Sequence, residues 1–97
     1  MKFRVLPDAQ QDIADIDDWV TEHSGRSFAD KTQTQLYDTF DLLVAFPNMG
    51  HARPDVEARH VLFFWLKPYW IVYECGDPLL IHRIFHGARD ISNPTLG

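Results

Sequence analysis

From Arg59 to Asp90 the chain reads RHVLFFWLKPYWIVYECGDPLLIHRIFHGARD, apolar runs broken at Lys67-Pro68 and at Gly76-Asp77-Pro78. An antiparallel strand with one solvated face alternates apolar and polar residues. Here both faces are apolar: Leu62, Phe64 and Leu66 alternate with Val61, Phe63 and Trp65, and Tyr69, Ile71 and Tyr73 alternate with Trp70 and Val72. The two breaks carry turn residues, so a three-stranded meander is predicted, its last strand running from about Leu79 to His86.

The first half has a different period. Residues 2–6, KFRVL, read as a short strand, and Pro7 with Asp8 opens a helix, because proline suits the first turn and acids suit a helix N-terminus. Ala9, Ile13, Ile16 and Val20 form one amphipathic stripe, with Asp12, Asp15, Asp18 and Glu22 expected largely off it, in water. Ser24, Gly25 and Arg26 break the pattern, and a connection of three to four residues is expected there. Ser27 with Asp30 resembles a capping box opening a second helix through Phe46, whose buried stripe is Ala29, Leu36, Phe40 and Leu43 and whose end is set by Pro47. Residues 47–58 read as loop.

The predicted fold is therefore α+β: an N-terminal strand, then an antiparallel helix hairpin packed on one face of a small antiparallel sheet. With the helices on one face, the opposite apolar face is expected to be bare, and a bare apolar face of several hundred Å² usually marks a partner site. A sheet that curls and fills its own concavity with Trp and Phe is the alternative.

At 97 residues, 45% hydrophobic and 24% charged, the chain reads as a single domain over residues 1–97 and not as a disordered one. There is no basic-then-apolar leader and no apolar run long enough to span a bilayer, so cytosolic residence without a membrane partner is expected. The one cysteine, Cys75, is expected to be a packed strand residue.

A net charge of −5 argues against a strong direct grip on nucleic acid. The charge is uneven: residues 1–50 hold nine acids and four bases, whereas residues 51–97 hold five of each and four of the five histidines. Anion-binding capacity thus belongs to the second half.

No cofactor motif is present, and no histidine spacing resembles a zinc motif, so no metal is expected. His82 and His86, four apart on a strand, would stand about 13 Å apart, and His51 and His60 would have to come in from the loop. Arg83, His86 and Arg89 form the one grouping suited to chemistry, since imidazole moves protons near neutral pH and guanidinium holds phosphate. Pairing of these residues with acids, as with Asp90, is the competing structural role.

Together these residues resemble the RelE/ParE toxin superfamily over nearly the whole chain: Ala9, Asp12-Ile13 and Ile16, then Ala29, Leu36, Phe40, Leu43, Pro47 and Gly50, then Arg59, Pro68-Tyr69, Ile71-Val72-Tyr73 and the closing run from Ile81 through Arg83-Ile84-Phe85-His86-Gly87 to Arg89-Asp90. The resemblance implies the toxin of a type II toxin–antitoxin pair and a cognate antitoxin, ParD-like for a ParE-like toxin, that wraps it. Two activities follow from such a likeness. RelE-like members cut messenger RNA on the ribosome with basic strand residues, and ParE-like members inhibit DNA gyrase with no known catalytic residues.

Where the RNA cleavers place lysines, this chain has Val61 and Phe63; where they place an arginine after the turn, it has Trp70; Arg89 matches their C-terminal arginine, but their tyrosine position falls near Thr95. A pentacoordinate phosphate needs preorganised positive charge, so a gyrase inhibitor without its own catalytic site is the favoured expectation. The alternatives are a ribosome-dependent mRNA endonuclease using His86, Arg83 and Arg89, with His51 and His60 as further histidines of the kind some nuclease members use, and an inactive toxin-like binding domain. The partner-binding residues expected are Phe63, Trp65, Trp70, Arg83 and Arg89.

Overall fold

A computed structural model describes residues 2–53 and 60–87. Along the chain these form strand β1 (Phe3–Val5), helix α1 (Pro7–Ser24), helix α2 (Arg26–Ala45), and strands β2 (Leu62–Leu66), β3 (Tyr69–Glu74) and β4 (Leu79–His86). The strand order across the sheet is β1-β4-β3-β2. Strands β2, β3 and β4 make the antiparallel meander that the turn residues predict, and β1 joins it in parallel, Phe3 to Val5 alongside Leu79 to Ile81.

Pro7 stands in the first turn of α1 with Asp8 beside it, as the sequence requires. The hairpin is tighter than expected. The link between the helices is Gly25 alone, at φ +92°, a left-handed value that side-chain-bearing residues rarely adopt, and this lets the chain reverse in one step. Because α2 already begins at Arg26, Ser27 lies inside it and no side chain caps the helix. Arg26 instead pins the corner by bonding Asp17 on α1 and Asp30 one turn on in α2.

Both helices cover one face of the sheet. The main core joins Ala9 and Ile13 of α1, Leu36, Phe40 and Leu43 of α2, and Tyr69, Ile71, Tyr73, Leu79, Ile81 and Ile84 of the sheet. Two polar residues also face inward, Thr32 and Thr39. Each hydroxyl bonds back to the carbonyl four residues earlier, Phe28 and Gln35, so neither is left unsatisfied.

The opposite face is not bare, which corrects the expectation above. Val61, Phe63, Val72 and Phe85 form a second cluster there, each at most 2% exposed, with Trp70 packed against it. His51 covers part of the β2 edge by exchanging both backbone hydrogen bonds with Phe63 at 2.8 Å. The guanidinium of Arg53 lies 5.7 Å from the Phe63 ring centre and that of Arg83 4.9 Å from the Phe85 ring centre. The self-filling alternative describes this face better than a bare one.

Cys75 also departs from expectation. It sits exposed just past β3, its Sγ 3.4 Å from the Pro47 carbonyl oxygen.

Candidate functional site

Strand β1 pairs with β4 only as far as Ile81, so beyond that point the β4 edge facing β1 is open. Asp12 of α1 closes it. One carboxylate oxygen accepts from the Ile84 N–H at 2.9 Å and from Arg83 Nε at 2.8 Å, and the other accepts from Arg83 Nη2 at 3.1 Å. The Asp12 hydrogen bond raises the Arg83 pKa above its ordinary value, against a smaller effect of burial. Asp12 was expected in water; its side chain is instead only 12% exposed. The signal was present in the sequence, because Asp12 stands three residues after Ala9 and four before Ile16, on the flank of the buried stripe.

One turn further along α1, Asp15, Ile16 and Trp19 line a mostly apolar pocket of about 300 Å³ with Tyr69 and His86. The His86 ring meets Tyr69 edge-on, with centroids 5.8 Å apart. Burial raises the Tyr69 pKa, so its phenol stays neutral. Trp19 is 56% exposed and stacks on His23 at 4.0 Å. Thus of the three residues proposed for cleavage, His86 lines this pocket, Arg83 is held by Asp12, and Arg89 lies outside the described residues. Asp90 and Thr95 do too.

The aromatic residues expected to meet a partner separate in a similar way. Phe63 is core, at 1% exposed; Trp70 is half-buried; Trp65 is open at 44%. Trp65 packs face-tilted on Trp70, with centroids 4.9 Å apart. The other large exposed apolar residues, Trp19, Phe28, Tyr37, Leu42, Phe46 and Met49, sit on the helices and the loop that follows them. Sequence reasoning missed this group because it searched the strands, where the long apolar runs are.

An open groove of about 640 Å³ runs along α2 where it meets the end of β2, lined by Lys31, Gln35, Asp38, Thr39, Leu42 and Leu66 among others. Strand β2 is the outer strand of the sheet. Since Phe63 uses its backbone groups on the outer side, to His51, the alternation of ladder groups turns the Trp65 N–H and C=O to that same side.

Outward-turned backbone groups on β2 and exposed apolar residues on the helices are features of a surface that can meet another protein. Comparison with known proteins gives the chain a family. The model of the ParE toxin of type II toxin–antitoxin systems matches residues 3–91. A solved structure of the chromosomal ParDE system from P. aeruginosa has the same fold, at a TM-score of 0.74 and 24% identity, over 89% of this chain and 95% of that one. No curated protein sequence matches the chain. The chain belongs to the ParE toxin family, and that family implies an antitoxin partner. Among the described residues, no helix is long and apolar enough to cross a membrane.

Proposed function

We propose that this toxin arrests growth by inhibiting DNA gyrase through protein contact, without a catalytic site of its own, and that a ParD-like antitoxin neutralises it. The observation that carries this reading is the burial of Val61 and Phe63, at 2% and 1% exposed, where RNA-cleaving relatives place lysines. Core residues cannot hold a phosphate. Arg83, the nearest base on β4, spends its charge on Asp12. A transition-state phosphate would need several such charges turned toward it at once.

The antitoxin contact proposed here combines Trp65 and Trp70 on the sheet with Leu42 and Leu66 along the α2 groove. Apolar residues at an open strand edge suit an added strand from a partner, with backbone bonds supplying affinity and side-chain pockets supplying choice. Message cleavage is the second reading, favoured by one observation, the placement of His86 beside Tyr69.

The test is expression of the chain with and without a cognate small antitoxin. Growth arrest that the antitoxin reverses is the expected result. Leu42→Ser and Trp65→Ala should weaken antitoxin binding with the melting temperature little changed. Normal growth together with a soluble, inert monomer would contradict the reading.

A further inference from the structure

On the sheet face turned from the helices, three metal-ligating side chains converge from three separate places in the chain. His60 arrives just ahead of β2, Glu74 ends β3, and His82 lies within β4. One ligand atom from each lies within 4.8 Å of the other two. His82 Nε2 is 2.9 Å from Glu74 Oε1, and His60 Nε2 is 4.0 Å from the same oxygen. The two imidazole rings stand nearly perpendicular, 79° apart, with centroids at 5.7 Å.

The backbone makes this possible. Val72 pairs with Arg83 and Tyr73 with Ile81, which leaves His82 as the extra, unpaired residue of a bulge. Glu74 pairs with Leu80, and His82, two residues further along β4, shares that side of the strand, so alternation from Ile81 already sets it beside Glu74; the bulge that follows turns Arg83, the partner of Val72, to the same face. The trace of the bulge lies in the sequence, since the buried residues of β4 that join the main core run Leu79, Ile81 and Ile84, a step of two and then of three. Counting from His82 to His86, by contrast, gave no metal site.

We infer that His60, Glu74 and His82 form a binding site for a divalent transition ion of the zinc class. Two imidazoles and one carboxylate match the donor set of a three-residue zinc site with a further position open, and they suit magnesium or calcium poorly. Zinc–ligand bonds of about 2.0–2.1 Å place tetrahedral donors roughly 3.3 Å apart. The 2.9 Å contact must open a little and the 4.0 Å one must close a little, a movement within reach of His60, whose side chain is 61% exposed. The ion would replace the His82–Glu74 hydrogen bond and tie the segment entering β2 to the β3–β4 pair. The partner-binding surface at Trp65 and Leu42 is not part of it.

The experiment uses the full chain, free of any histidine tag and made by cell-free synthesis, with Zn²⁺ alone as the probe. Calorimetry against a competing chelator should show one strong equivalent and a rise in melting temperature with zinc. His60→Ala, His82→Ala and Glu74→Gln should each weaken binding at least about tenfold, the lower range for losing even a supporting group at such sites. His51→Ala and His86→Ala should leave it unchanged. Imidazole nitrogen resonances of His60 and His82 should shift on zinc addition while those of His23 do not. If His82→Ala fails to fold, His60→Ala decides, because that exposed ring is outside both core clusters. Absence of binding at tens of micromolar zinc, or equal binding by His60→Ala and the wild type, would overturn the site. Neither outcome bears on toxicity, so the toxin reading stands or falls separately.

Discussion

The Asp12 carboxylate on α1 holds two groups of β4 at once, the Arg83 guanidinium and the Ile84 N–H. It serves as a substitute strand, supplying the acceptor that β1 would have supplied had it run beyond Val5. Arg83 thereby spends its charge on joining helix to sheet.

Removing the acceptor should therefore cost more than an ordinary surface change. Asp12→Ala leaves a partly buried guanidinium and an edge N–H without their partner, and a loss of about 2–3 kcal/mol is expected from hydrogen bonds to a charged group. Arg83→Ala should cost less, because Asp12 keeps its bond to Ile84. Urea denaturation of the two single variants and the double variant checks this, and strongly non-additive losses are the expected sign of a coupled pair.

Gly87 has a steric reason to be glycine. A Cβ there would stand 2.5 Å from Trp65 Cη2 and 3.1 Å from the Pro68 carbonyl oxygen, while the Gly87 N–H bonds that same oxygen. Gly87→Ala should push the Trp65 ring outward and cost about 1–3 kcal/mol, as overpacking does. In a Trp65→Ala background most of that cost should vanish. Intrinsic tryptophan fluorescence and thermal melts of the three variants give the comparison.

Tyr73 ties the loop after α2 to the core: its hydroxyl donates to the Pro47 carbonyl at 2.6 Å and accepts from the Gly50 N–H at 2.8 Å. Burial raises its pKa from the ordinary value of 10.0, as it does for Tyr69. A raised folded-state pKa adds stability that is fully present below the unfolded value and is lost as pH rises through the folded one. Stability should thus hold up to about pH 10 and then fall. Tyr73→Phe should lower stability by about 1 kcal/mol at pH 7 and flatten the alkaline decline in part, with Tyr69 responsible for what remains. Denaturation curves from pH 7 to pH 11 measure both effects.

Periodicity, with the proline, glycine and turn residues that punctuate it, placed both helices, the meander and the end of β4 at His86, because burial on a regular element leaves a repeat in the sequence. The closing run from Ile81 to Asp90 was the most specific part of the family resemblance as well. What escaped were features that depend on where elements stop pairing. Asp12 looked like a solvated acid until the short β1 exposed an edge above it. Phe63 looked like partner surface, although cross-strand pairing with Val72 buries it. His82 was measured only against His86, about 13 Å along the same strand, whereas its neighbour across the strands is Glu74, at 2.9 Å. Edge lengths and bulges arise from contacts distant in sequence, and a local pattern records them weakly.

One reconstituted measurement separates the proposed gyrase inhibition from message cleavage. Purified chain is titrated into a gyrase supercoiling reaction and, in parallel, into a translating ribosome reaction read by primer extension, each with and without His86→Ala. Loss of supercoiling, restored by antitoxin, with intact message in every lane is the expected result. Site-specific message cleavage that disappears in His86→Ala, with supercoiling unaffected, would contradict it.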